Sequence, residues 1–309
     1  MIHHVFANRS NVGDWLSAKG IQRLLQPHSV TEHLCDEQFV TQTLAELRRL
    51  EPDDLVVIGG GGLFMDYFAP FWIGLAELGH RFRYCIWGVG YCDLKAQPSH
   101  PPLEIVRRVV AGSELCVVRD ELTRKHLANS ALPAPVPCSS LLEIDPAPCG
   151  WGVLHVDNYT TVGAPAFAVM DDACRRYASA TSRPYRSTNN RIEPDREREL
   201  RQCLSLYEQS DVIVSSALHG CVIAVAMGKP VLAVSGDWKI EGFMEAAGLG
   251  EWVLAAADLV QLPARLEALP RQAAVPEFVE RAHAENWAVA RTIRAFAATP
   301  PQELDRGQA

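Results

Sequence analysis

The sequence predicts an α/β fold with a mainly parallel sheet covered on both faces, divided near the middle of the chain. Three observations lead there. Short runs rich in Val and Ile alternate with helical stretches along 309 residues, the rhythm of strands connected by crossover helices. Hydrophobic residues make up 48% of the chain and charged residues 21%, which is enough for one large or two smaller cores under a soluble surface. The rhythm breaks at the proline-rich "ALPAPVPCSSLLEIDPAPCG", so a boundary is expected at 140–150. That gives units of 1–145 and 146–298, with 299–309 as a flexible tail.

The elements follow in order. "HHVFAN" is an opening strand, and "VGDWLSAKGIQRLLQ" a helix with Asp14 near its cap. "VTQTLAELRRL" is a second amphipathic helix, and "DDLVVIGGGGLF" a buried strand running into a glycine turn. "PFWIGLAELG", "RFRYCIWGVG", "PPLEIVRRVVAGS" and "ELCVVRDELTRKHLA" repeat the alternation. Beyond the break come the strand in "WGVLHVDNY" and the helix in "PAFAVMDDACRRYASA", then "TSRPYRSTNNRI", irregular or holding a short strand. Pro194 is expected at the start of the helix ending near Gln209. "DVIVS", a helix of small side chains, "KPVLAVS" and further helices complete the second half.

The formal charge of −8, with no basic tail or stripe, argues against binding to a nucleic acid backbone. The nine cysteines are scattered without a zinc or CxxC pattern, which predicts no metal and fits reduced thiols in a cytoplasmic protein. The opening residues reach Asp14 too soon for a signal peptide, and no apolar run of 18 residues exists to span a membrane. "FAPFWIGLAELG" reads as a buried helix, with peripheral membrane contact as the alternative. The oligomeric state stays open.

Four stretches carry candidate chemistry. Asn11, Gly13 and Asp14 follow the first strand at the carboxyl edge of the sheet, where parallel α/β folds bind ligands; Asp14 either receives a sugar hydroxyl or caps its helix. Gly60, Gly61 and Gly62 form a turn that lets backbone N–H groups approach a phosphate or sugar, or that serves the chain reversal alone. Arg119, just past a strand, presents a fork suited to an anion, or pairs with Asp120 on the surface. Ser215 and Ser216 end the "DVIVS" strand, and His219 falls in the first turn of the next helix, to pack or to move a proton. A helix N-terminus disfavours imidazolium and attracts anions; a bound phosphate reverses that bias.

In order, "NVGD" (11–14), "IGGGGLF" (58–64), "WGVG" (87–90), "VVRDELT" (117–123) and "SSALHGCVIAVAMGKPVLAVSGDWKIEGFMEAAGL" (215–249) resemble the polysaccharide pyruvyl transferase family. The resemblance runs from about residue 8 to 255 and is weakest at 145–205. It implies two Rossmann-like domains facing across a cleft, as in the glycosyltransferase B fold. It further implies transfer of a pyruvyl group from phosphoenolpyruvate to sugar hydroxyls of a polysaccharide or a lipid-linked or nucleotide-linked precursor. By that resemblance His219 is the general acid and Asp14 a second catalytic group. Arg119, Lys239, Ser215 and Ser216 hold the donor, with Asn11 and the glycines on the acceptor side and no cofactor. Two positions depart from the pattern. Ala217 stands where the family has an arginine, with Lys239 as the expected replacement, and "VPCSSLLEI" lacks an aspartate the family carries. A sugar-nucleotide-dependent glycosyltransferase and a non-catalytic glycan- or protein-binding relative are the competing readings.

Overall fold

The structure is a computed structural model that describes residues 1–299 except His80, Ala96, Gln97, Ser99 and 129–131. The tail expected to be flexible lies outside them apart from Thr299. The first half runs β1 (Ile2–Phe6), α1 (Val12–Leu25), β2 (Val30–Leu34), α2 (Val40–Leu47), β3 (Leu55–Gly59), α3 (Ala69–Leu78), β4 (Arg83–Val89), α4 (Leu103–Ala111), β5 (Leu115–Val118) and α5 (Glu121–Leu127). The second half runs β6 (Val153–Val156), α6 (Tyr159–Val162), α7 (Ala164–Ala180), β7 (Tyr185–Thr188), α8 (Glu197–Glu208), β8 (Val212–Ser215), α9 (Leu218–Ala226), β9 (Val231–Ser235), α10 (Trp238–Ala246), β10 (Val253–Ala255), α11 (Leu262–Ala268) and α12 (Pro276–Ala298).

Two separate parallel sheets result, in the orders β2-β1-β3-β4-β5 and β7-β6-β8-β9-β10. Each half places its second strand outside its first and then builds the other way, so each has a reversal point beside its first strand. Ligands in open α/β sheets bind at the carboxyl end of the strands there.

The central strands β1, β3, β6 and β8 are buried along their whole length, which requires apolar residues on both faces. In the first sheet Val5, Ile58, Ile86 and Val118 pack against α2, α3 and α4. Ile2, Val57, Trp87 and Val117 point the other way, onto Ile21, Leu24 and Leu25 of α1. In the second sheet Leu154, Ile213 and Ala233 meet α9, and Val153, Val212 and Val234 meet α7 and α11. The helix in "FAPFWIGLAELG" is α3, with Phe71 and Trp72 fully buried.

Three local expectations are corrected. The cap of α1 is Asn11, whose Oδ1 accepts from the N–H groups of Gly13 (3.0 Å) and Asp14 (3.3 Å); Asp14 sits inside the first turn, where its carboxylate is free to face elsewhere. The helix after "RIEPDR" begins at Glu197, not Pro194, because Asp195 adopts a left-handed backbone (φ 62°) that a helix excludes. The edge strands β2 and β10 were not anticipated: "VTEHL" buries only His33 and carries no apolar alternation, and β10 has three residues.

Helix α12 returns to the first half. Val289, Ala290 and Ile293 join the core beneath the first sheet, while Phe278 and Ala282 at its start belong to the core around α9. Asn286 in between accepts from Trp87 Nε1 (3.0 Å) and donates to the carbonyl of Pro137 (3.0 Å).

Candidate active site between the two sheets

The loops at the carboxyl ends of the central strands of both sheets line one cavity of about 700 Å³. Asn11 and Asp14 come from beyond β1, Gly62 from beyond β3, Arg119 from beyond β5, Asp157 and Asn158 from beyond β6, and Ala217 and His219 from beyond β8. Lys239 enters from the first turn of α10 and Arg191 from the segment after β7. Met65, Phe68, Leu94 and Leu218 add apolar surface.

His219 lies in the first turn of α9, as the sequence predicts, partly exposed to the cavity. Its ring rests on the backbone of α1: a Cβ on Gly13 would fall 1.8 Å from His219 Cγ. Gly13 therefore lets two helix N-termini from different halves touch. Its Nε2 is 3.9 Å from Cys138 Sγ. Burial pushes the imidazole down to about 4; the charge of Asp14 opposes that, and those of Arg119 and Lys239 reinforce it. At neutral pH the ring is therefore uncharged.

Asp14 is raised from its ordinary value by burial, against the pull of His219, Lys239 and Arg119. Its carboxylate lies on the glycine turn: a Cβ on Gly61 would sit 2.5 Å from Asp14 Oδ1, and Gly61 has φ +84°. Gly62 lines the cavity, whereas Gly60 does not, and its N–H donates to the carbonyl of Trp87. The turn shapes the wall under Asp14.

Arg119 is buried rather than on the surface. Its Nε donates to Asp120 (3.2 Å), which also caps α5 by accepting from the N–H of Thr123 (2.8 Å). Both readings of this pair thus meet in one arrangement, with Arg119 Nη2 lacking any partner among the described residues. Lys239 Nζ lies 2.6 Å from Asp237 and 3.2 Å from Cys92 Sγ, which belongs to the first half. Burial disfavours its ammonium, and Cys92 and Asp237 outweigh that and raise it. Burial also raises the Cys92 thiol.

Ser215 and Ser216, expected as donor contacts, lie behind the cavity wall. Both are fully buried and neither lines the cavity. The Ser215 hydroxyl bonds the N–H and carbonyl of Ala217, and that of Ser216 accepts from the N–H of Asn158 (2.7 Å). They hold the β8–α9 turn, and through it His219, in place.

Sequence reasoning missed Asp157, Asn158, Cys92 and Arg191. "HVDN" at the end of β6 occupies the place that "NRSNVGD" holds after β1, so the repeated βα pattern was the signal for Asp157 and Asn158. Cys92 and Arg191 reach the site through contacts between the halves, which local pattern does not carry. Among the described residues no group of three or more His, Cys, Asp or Glu side chains is placed to hold a metal ion, and no helix is long and apolar enough to cross a membrane.

Residues 9–237 match the sequence profile of the polysaccharide pyruvyl transferase family. No curated protein matches the chain. Among solved structures, S. aureus MnaA with UDP superimposes with a TM-score of 0.60 at 10% identity, covering 98% of this chain and 99% of that one. UDP-GlcNAc 2-epimerase from Methanocaldococcus jannaschii, in complex with UDP-GlcNAc and UDP, gives 0.58 at 11%, covering 96% and 99%. Anabaena HepE with UDP and glucose gives 0.50 at 12%, covering 96% and 98%. At such identities the likeness concerns the fold: two parallel sheets flanked by helices, as in the glycosyltransferase B class.

Proposed function

The chain belongs to the polysaccharide pyruvyl transferase family, and on that premise we propose how its cavity moves a pyruvyl group from phosphoenolpyruvate to sugar hydroxyls. The observation that carries the reading is the convergence of His219, Asp14, Arg119 and Lys239, from four separate segments, on one cavity. The units are two Rossmann-like domains, 1–145 and 146–298, facing across that cavity, with the last helix reaching back to the first.

The donor carboxylate and phosphate lie toward Arg119 and Lys239, the cations whose charges act on His219. The unpartnered Nη2 of Arg119 supports this, because a buried donor without an acceptor is costly until a ligand supplies one. The donor phosphate favours the protonated ring. His219 then gives its proton to the methylene carbon of phosphoenolpyruvate, and the C2 cation is captured by a sugar hydroxyl whose proton passes to Asp14. Phosphate leaves with its C2–O electron pair and a proton returned from the site. A second hydroxyl then attacks C2 to close the ketal, and its proton restores His219. Burial lowers His219 and raises Asp14, bringing their proton affinities together, which suits a pair that hands protons back and forth. The acceptor sugar lies along Asn11, Asn158 and Gly62.

Ala217 leaves the donor without the family's arginine, and Lys239 replaces its charge from the neighbouring helix. No step needs a metal or other cofactor. Nine unpaired cysteines support a reducing, cytoplasmic setting.

The test incubates wild type and His219→Gln with phosphoenolpyruvate and a panel of sugars, following phosphate release and product mass. A pyruvate-bearing sugar from wild type, with kcat reduced roughly 100-fold or more in the variant, supports the reading. Turnover of a UDP-sugar instead of phosphoenolpyruvate would make the chain a glycosyltransferase. Equal turnover by His219→Gln would remove the histidine from the chemistry.

A further inference from the structure

The cavity has a third cation that the donor reading does not use. Arg191 lines it, is exposed, and forms no ion pair with a described residue. Arg119 and Lys239 both carry a carboxylate partner. The leading charges on His219 and Asp14 include Arg119 and Lys239 but not Arg191, so Arg191 weighs less on the proton-transfer centre than they do.

The segment that presents Arg191 is built rather than loose. Asn190 adopts a left-handed backbone (φ 56°) and is 3% exposed; its Oδ1 accepts from Tyr207 Oη (2.8 Å), and its Nδ2 is buried without a partner. The N–H of Arg191 is held by Asn189 Oδ1 (3.0 Å). The backbone of Asn190 accepts from the N–H of Val12 (2.9 Å) and the N–H of Ile192 donates to the carbonyl of Ser10 (2.9 Å), an antiparallel bridge onto the loop before α1. The backbone of Arg191 is thus fixed beside Asn11, and Asn158 and Asn189 line the same cavity. Carboxamides of that kind read sugar hydroxyls, and an unneutralised guanidinium reads an anion.

We infer that Arg191 is a specificity-determining residue that binds a negative group carried by the acceptor sugar, a phosphate ester or a carboxylate, away from the donor. This rests on the pyruvyl transfer reading for which end of the cavity receives the donor. It assigns the acceptor to anionic sugars rather than neutral ones. A guanidinium carried on this anchored backbone distinguishes the two through charge-assisted bonds that a neutral sugar cannot form, a discrimination of about tenfold or more.

The experiment is calorimetric titration of glucose 1-phosphate, glucuronate and glucose, and separately phosphoenolpyruvate, into wild type, Arg191→Gln, Arg191→Lys and Arg119→Gln. For wild type, glucose 1-phosphate or glucuronate is expected to bind at least about tenfold more tightly than glucose, and whichever does so names the source of the charge. Arg191→Gln should remove that preference, Arg191→Lys should keep part of it, and both should bind phosphoenolpyruvate as wild type does. Arg119→Gln should do the opposite. Anionic sugars that bind no better than glucose would overturn the inference, as would an Arg191→Gln variant that loses phosphoenolpyruvate instead. Failure of wild type to bind phosphoenolpyruvate would sink the donor reading alone, since the sugar titrations are read without it.

Discussion

Two histidines in this chain are pushed down to about 4 by burial, and only one belongs to the proposed chemistry. His4, inside the first sheet, has both ring nitrogens occupied, by the carbonyl of Gly59 (3.2 Å) and the amide of Gln22 (3.1 Å). Among the described residues His219 has only a distant thiol. Depressed basicity marks burial; an unsatisfied ring at a cavity marks function. His219 was legible in the sequence from its place after an apolar strand. The pairing of Arg119 with Asp120 was legible too, as neighbours at a helix start, whereas the contact of Lys239 with Cys92 was not, because it exists only across the halves. The groups facing His219 are Asp14 from α1, Arg119, Lys239 from α10 and Cys138. The ring titrates near 4, and a donor dianion raises it. Binding therefore takes up a proton between those values: the contribution of His219 to affinity is fully expressed below about 4 and is lost as pH rises through the pKa of the complex. Titration in buffers of different ionisation enthalpy should show proton uptake by wild type near pH 6 and less by His219→Gln. Equal uptake in both would place the titrating group elsewhere.

Among elements, the decisive contact is the meeting of the α1 and α9 N-termini. The central strands and their crossover helices were readable from apolar runs and turn residues, since burial on both faces dictates composition. The edge strands escaped because an edge needs little apolar surface, and the start of α8 escaped because a left-handed Asp195 overrides the preference of proline for a first turn. The need for glycine at position 13 was also hidden, since it arises from a ring contributed 206 residues later in the chain (219 − 13). Gly13→Ala should keep both sheets but force the His219 ring or α9 to shift. Overpacking of this kind costs about 1–3 kcal/mol, and misplacing a catalytic group by an ångström costs roughly 100-fold in turnover. Thermal unfolding and kcat measured on one preparation check it; unchanged kcat would mean that the ring adapts without consequence.

For the molecule as a whole, the halves are joined by more than the chain between them. Helix α12 packs into the first core and its Asn286 ties Trp87 to Pro137. Lys19 pairs with Glu197, and Lys95 with Glu241 while lying over the ring of Trp238. Two backbone bridges cross the interface among the described residues, Asn11 to Arg191 and Leu94 to Asp237, and Asn11, Arg191 and Leu94 all border the cavity. None of this was legible in the sequence: the proline-rich break marked a change of rhythm, whereas the fastening depends on backbone groups, which every residue carries alike.

Those bridges give the site a clock. Opening the interface there breaks four backbone hydrogen bonds, Val12 to Asn190, Ile192 to Ser10, Lys95 to Gly236 and Trp238 to Asp93. At about 1 kcal/mol net each, these four bonds alone hold the opened form to at most on the order of one in a thousand. A ligand too bulky to enter the closed form would wait for that opening, so its association would run at least about three decades below an unhindered encounter. Val12→Pro tests this without unwinding α1, because Val12 is the first helical residue, where proline is tolerated, and its N–H serves only the bridge among the described residues. Stopped-flow association of the acceptor should quicken about fivefold, as loss of one such bond implies, with dissociation quickening as well. An association rate that does not move would show that ligands enter with the halves still fastened.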